Sequence, residues 1–335
     1  MAAVQNLPRV LIIGTGGTIA GKGASATSAG YTPGKLSTEY LLEYIPAIKQ
    51  IANISAEQIT SIGSYDLQIT NLIEITRHIN EAVDNNEADA VVITHGTDTM
   101  EETAYFLSLT LNVSIPVVLT GSMRAATALS SDGPKNLYDA IVVASNSQSK
   151  GKGVMVCFNE TIYDARNVVK VNTTNVASFS SPNAGPIGHV YDGKVYYLNN
   201  NQEKAHPNAA FNISKINSLP HVEIAYMYLG ASDSAINAFI NDQVNGIVIA
   251  GTGDGSLSKP FLRAVGKAIE KGIIVVRSTR AHSGRVSQFH HVFDDKKLAT
   301  ISAGDLNPQK ARILLMLALT ATKDRNTIQE MFMKY

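Results

Sequence analysis

Short apolar runs rich in β-branched residues punctuate the chain at 10–13, 90–94, 116–120 and 153–158, each bounded by glycine or polar turn residues. Longer amphipathic segments lie between them. In one, Leu72, Ile75, Ile79 and Val83 recur at helical spacing while Glu74, Arg77, His78 and Glu81 take the other faces, which predicts an ordinary surface helix. Strands alternating with helices predict βαβ units and a parallel sheet. Residues 190–197 read as two strands joined at Asp192-Gly193, a pair that tolerates the positive φ of a tight hairpin. This hairpin closes a first domain over 1–198.

The stretch 199–220 is rich in Asn, carries Pro207 and Pro220 and lacks periodicity, as a linker does. Beyond it the alternation resumes at 222–229, 247–250 and 273–276, and a helix starts near Pro308 and runs through Leu314, Leu315 and Leu319. A smaller α/β domain over 221–335 is the expectation. No internal repeat or low-complexity tract is evident.

Composition narrows the function. The 335 residues include 28 Lys plus Arg and 28 Asp plus Glu, so the basic field of a nucleic-acid binder is missing and no such partner is expected. A hydrophobic fraction of 44% with 17% charged residues describes a chain that can offset its ordering entropy by burial. The longest apolar run, 313–319, is seven residues, against about 18 for a membrane span. Cys157 is the single cysteine, which excludes an intrachain disulfide and any zinc site of two or more thiolates. The start of the chain shows no charged, apolar and cleavage segments in order. The expectation is a cytoplasmic protein or the mature form of a periplasmic one.

Ligands of open parallel sheets bind beyond the carboxyl ends of strands. The first strand ends in Gly14-Thr15-Gly16-Gly17-Thr18-Ile19-Ala20-Gly21. Ile19 stands where a dinucleotide fingerprint needs its last glycine, and Gly23 follows Lys22 where a phosphate loop needs Ser or Thr. Two readings stay open: a tight turn using glycines for positive φ, or a site where Thr18 offers a hydroxyl amid backbone N–H groups. The strand at 90–94 leads into His95-Gly96-Thr97-Asp98-Thr99-Met100-Glu101-Glu102. There Asp98 or Thr99 can cap a helix, with Glu101 and Glu102 favouring its positive end. A capping pair can also face a cleft, whereas His95 reads as a locally satisfied residue. Gly121-Ser122-Met123-Arg124-Ala125 lacks the last glycine of a nucleophile elbow, and the only neighbouring histidines are His290 and His291. A hydrolase built here would activate threonine without a histidine base, through a lysine or tyrosine of lowered pKa. Lys170, just past a strand, suits that role and equally suits a solvated surface.

Together these stretches resemble the bacterial-type L-asparaginase and asparaginase-glutaminase family, its type II group most of all. The first two motifs are joined by Asp132-Gly133-Pro134 with Asn136-Leu137-Tyr138, and by Leu306-Asn307-Pro308-Gln309-Lys310-Ala311-Arg312. The match runs from Pro8 onward, in the family's order and spacing. The resemblance implies a flavodoxin-like, doubly wound larger domain with a smaller α/β second domain, and hydrolysis of asparagine to aspartate and ammonia. It implies Thr18 as nucleophile with Tyr31 accepting its proton, and a second set of Thr97, Lys170 and Asp98. Backbone N–H groups near Thr18, Gly96 and Ser122 would hold the oxyanion. No metal or organic cofactor is needed. A homotetramer built from close dimers is also implied, with Asp254 and His291 acting across an interface.

Recognition of the substrate departs from the family pattern. Relatives commonly carry Ser-Gln where this chain has Ser64 and Tyr65, and a phenol in place of an amide removes two donors. They offer a glutamate about where His290 or His291 falls, and a protonated imidazole would repel a substrate ammonium. Asp254 stands where many relatives carry Asn, so an acid lost in one place is partly restored in another. Ser64, Tyr65, Asp98, Ser122, Asp254 and His291 are thus the expected substrate contacts. The competing expectation is a family-shaped binding module whose ligand has changed with Tyr65 and His291.

Overall fold

The computed structural model describes residues 7–27, 30–198, 209–289 and 293–335. His290 and His291, with residues 199–208 of the expected linker, lie outside the described residues. The chain divides into two compact units, Met1–Lys215 and Ile216–Tyr335.

The strands of the first unit are β1 (Arg9–Gly16), β2 (Lys22–Gly23), β3 (Tyr31–Thr32), β4 (Asn53–Ile62), β5 (Ala90–Thr94), β6 (Val117–Thr120), β7 (Val154–Phe158), β8 (Thr161–Asp164), β9 (Val169–Lys170), β10 (Phe179–Ser180), β11 (Gly188–Tyr191) and β12 (Lys194–Tyr197). Its helices are α1 (Thr38–Glu43), α2 (Ile69–Asp84), α3 (Met100–Thr110) and α4 (Gly133–Ser145). Eight strands form one sheet in the order β12-β11-β8-β7-β6-β5-β1-β4. From β4 to β7 neighbours run parallel, as alternating strands and helices require, and both faces of β5, β6 and β7 are buried. Residues of α1 and α4 share one core cluster with Val10, Ile12, Val92, Val118 and Met155.

Beyond β7 the sheet continues antiparallel. Only Asn159 and Glu160, both at positive φ, separate β7 from β8, a connection too short for a parallel crossover. The hairpin expected at Asp192-Gly193 joins β11 to β12, and both of its turn residues have positive φ. Cys157 is fully buried, and burial pushes its thiol pKa up, which leaves it unreactive.

Strand order determines where a ligand can bind. The chain places β4 on one side of β1 and then β5 on the other, so the reversal opens a crevice at their carboxyl ends. Two glycines let the turns there approach closely. A Cβ on Gly17, whose φ is 76°, would lie 2.4 Å from the backbone nitrogen of Gly96, and one on Gly96 would lie 2.7 Å from the Ser64 hydroxyl. The turns following β1, β5 and β4 are thereby in direct contact.

The second unit holds four parallel strands, β13 (Val222–Tyr226), β14 (Gly246–Gly251), β15 (Ile274–Thr279) and β16 (Ile301–Ser302), in chain order. Its helices are α5 (Ser234–Asn241), α6 (Lys259–Glu270), α7 (Asp295–Leu298), α8 (Pro308–Ala321) and α9 (Arg325–Lys334). Asn307 caps α8 by accepting the Lys310 N–H at 3.0 Å, with Pro308 in the first turn. Among the described residues no helix is long and apolar enough to cross a membrane.

Gly96→Ala should destabilise the fold by about 1–3 kcal/mol through overpacking. Gly266→Ala, inside α6 with open space where its Cβ would project, should stabilise by about 0.5–1 kcal/mol. Urea denaturation of both variants checks the pair, and equal effects would refute the steric account.

Candidate active site

The chain leaves β1 through Gly17 into a single 3₁₀ turn, Thr18–Ala20. This buries Thr18 and brings its hydroxyl 2.6 Å from the hydroxyl of Tyr31. Tyr31 reaches that point because β3 pairs antiparallel with β2, Gly23 opposite Tyr31. Tyr31 as a residue is 42% exposed while Thr18 is buried, so the contact of the two hydroxyls is part-buried. Such a pair can pass a proton directly.

A second set assembles beyond β5. The Lys170 ammonium donates to the Thr97 hydroxyl at 2.9 Å and to Asp98 Oδ1 at 2.6 Å. The lysine side chain is 15% exposed and that of Asp98 55%. Lys170 lies within β9, held against β10 by the Lys170 and Phe179 pairing, so it belongs to a strand and does not follow one. Its own backbone N–H donates to Glu101 Oε2 at 2.6 Å.

Helix capping does not account for this loop. Thr99 occupies the N-cap of α3, but its side chain makes no capping bond. Its hydroxyl donates to the Ser64 carbonyl at 2.9 Å, and its N–H points to the Ser64 hydroxyl at 3.4 Å. Ser64 is therefore buried and braced, while Tyr65, 64% exposed, lays its ring over Gly63.

Ser122 is fully buried and donates to the Arg124 carbonyl at 2.6 Å. The loop is held by Asp132, which accepts the N–H groups of Met123 and Arg124, and by Asn136, which donates to the Gly121 carbonyl. Asp254 lies in the second unit, where its two carboxylate oxygens accept the N–H and hydroxyl of Ser287. Its loop is fastened by Arg277, a fully buried side chain. Arg277 donates to the carbonyls of Asp254, Gly255 and Ser287 and twice to Asp295.

The first unit thus brings together Thr18 with Tyr31, and Thr97 with Asp98 and Lys170. Ser64 joins the second set through Thr99. Sequence reasoning missed the parts of Glu101, Thr99, Ser287 and Arg277, whose partners lie far along the chain. His95 is fully buried and doubly bonded: a carbonyl can only accept, so Nδ1–H donates to Gly96 at 2.6 Å, and Nε2 accepts from Thr103 at 2.9 Å.

Residues 9–203 match the family model described as Asparaginase, N-terminal, and residues 221–332 match that described as Glutaminase/Asparaginase C-terminal domain. The chain belongs to the asparaginase family. It is 46% identical over 333 residues to the L-asparaginase 2 of Escherichia coli strain K12, covering 99% of this chain and 95% of that one. It is 42% identical over 330 residues to the glutaminase-asparaginase of Pseudomonas fluorescens biotype A, covering 98% and 91% respectively. The crystal structure of a probable cytoplasmic L-asparaginase from Campylobacter jejuni superposes with a TM-score of 0.94 at 46% identity, covering 98% of this chain and 100% of that one.

Burial pushes the His95 pKa down to about 4, against about 6.5 for a free imidazole. Between those values the unfolded chain binds a proton that the folded chain refuses. The stabilising contribution is therefore complete above pH 6.5 and falls by about 3 kcal/mol as pH drops to 4. Stability of His95→Asn, measured by urea denaturation, should decline less over that window than that of the parent chain. Parallel profiles would remove His95 as the source.

Proposed function

We propose that this chain hydrolyses the side-chain amide of free L-asparagine to L-aspartate and ammonia, with weaker action on L-glutamine, by threonine-based catalysis. The 2.6 Å contact between Thr18 and Tyr31 at the strand-order reversal carries the reading. Thr18 attacks the amide carbon as its proton passes to the Tyr31 oxygen. The phenolic proton moves to the departing nitrogen, so ammonia leaves neutral and the tyrosine is restored. Backbone N–H groups near Thr18, Gly96 and Ser122 stabilise the oxyanion. Water, oriented by the Thr97 hydroxyl that Lys170 and Asp98 hold, then cleaves the Thr18 ester: its oxygen completes the carboxyl group of aspartate and its proton returns through Tyr31 to the Thr18 oxygen.

In the same reading Ser64, Tyr65, Asp98 and Ser122 line the substrate position. The chain forms a homotetramer of close dimers in which Asp254 and His291 of one subunit complete a neighbour's site. Asp254 is the acid that draws the substrate ammonium. A second reading, a binding module with a changed ligand, is favoured by Tyr65, whose exposed ring occupies a position where relatives carry an amide.

Ammonia release from L-asparagine, L-glutamine and D-asparagine separates the two. The intact protein should act on L-asparagine, and Thr18→Ala should lower kcat by about 10⁴-fold or more. No release from any of the three substrates would leave the binding module, and activity surviving Thr18→Ala would displace the nucleophile. Asp254→Asn should raise the Michaelis constant about tenfold, equivalent to about 1.4 kcal/mol. An unchanged constant would remove Asp254 from substrate recognition. Light scattering should give four times the 35.8 kDa chain mass.

A further inference from the structure

Glu101 takes no part in the proposed reaction, yet the residue is 3% exposed and its Oε2 lies 2.6 Å from the backbone nitrogen of Lys170. A place in the first turn of α3 favours an acid there, but Glu102 occupies the same turn and does not need to be buried to serve the helix. Burying a carboxyl needs a partner that outweighs its desolvation. One partner is the backbone of the residue whose ammonium meets Thr97 and Asp98.

The connection closes a ring. One stretch of five residues supplies Thr97 and Asp98 to the far end of the lysine side chain and Glu101 to its backbone. Lysine has a flexible four-carbon stem, so fixing its backbone end limits where the ammonium can go. β9 pairs with β10 over only two residues, and an isolated two-stranded ribbon is marginal. β10 is anchored by Phe179, which packs on Phe158 with ring centroids 4.9 Å apart and accepts the Tyr163 hydroxyl at its carbonyl. β9 is held by that pairing, by the flanking Val171 N–H on the Ser178 carbonyl at 2.8 Å, and by Glu101.

We propose that Glu101 is a positioning residue for Lys170, fixing through the β9 backbone the distance from the ammonium to Thr97 and Asp98. The proposal rests on the reading of Thr97, Asp98 and Lys170 as part of the asparagine-hydrolysing machinery. It acts by reach and acceptor geometry and not by charge.

Two conservative variants separate these properties. Glu101→Gln keeps the reach and a carbonyl acceptor; Glu101→Asp keeps the acid but draws the oxygen back by one methylene. Since a misplacement of about 1 Å can lower rates by about 10²-fold, Glu101→Asp should reduce kcat for L-asparagine by at least about tenfold. Glu101→Gln should stay within about threefold, and KM within about threefold in both. A wild-type kcat for Glu101→Asp, or a loss in Glu101→Gln as large as in Glu101→Asp, would overturn the proposal. Lys170→Met run alongside distinguishes the underlying reading. If it retains kcat, the role of Lys170 fails; if it loses kcat while Glu101→Asp does not, only the positioning role fails.

Discussion

The contact of Gly17 with Gly96, and of Gly96 with Ser64, is the constraint on which the site depends. Three turns from three adjacent strands meet there, backbone on backbone between Gly17 and Gly96 and backbone on side chain between Gly96 and Ser64. That approach lets Thr18 begin its turn directly over the end of β5. It also keeps Ser64 within reach of Thr99. A methyl group at either glycine would push the turns apart, and the hydroxyls of Thr18, Thr97 and Ser64 are each attached to one of them. Pre-organisation here is a property of the backbone first and of the side chains second.

Electrostatics is handled just as locally. The chain has no net charge, so nothing in its overall field attracts a zwitterion. The charged groups lie in tight sets: Lys170 between Asp98 and the Thr97 hydroxyl, and Asp254 fastened by Ser287. An ammonium held by two partners loses much of its rotamer freedom in advance, which lowers the ordering required when a substrate arrives.

Much of this was legible in the sequence, for a physical reason. Strands β1, β5, β6 and β7 are central, so their burial on both faces writes a continuous apolar run. Thr18 and Thr97 could be singled out because glycines mark the ends of β1 and β5. Strand β4 escaped notice because it is an edge strand whose residues alternate half-buried and exposed, and β9 and β10 are too short to show any period. Asp98 and Thr99 read as caps because capping is a local pattern, whereas their bonds go to Lys170 and to Ser64, 35 residues from Thr99. Glu101 was hidden likewise, the backbone N–H it accepts lying 69 residues away. Local pattern locates elements; it does not announce which distant backbone they will hold.

Arg277 carries a consequence for how this protein can change over time. Its guanidinium has five N–H donors, and all five are engaged. Lysine offers three donors from a single point and cannot reproduce the planar fork, so even the nearest chemical neighbour leaves acceptors unmet. Evolutionary drift, or a protein engineer seeking altered specificity, therefore has no single-step route through this position. Variation around Asp254 must come from the loop residues that Arg277 holds, while the holder stays the same.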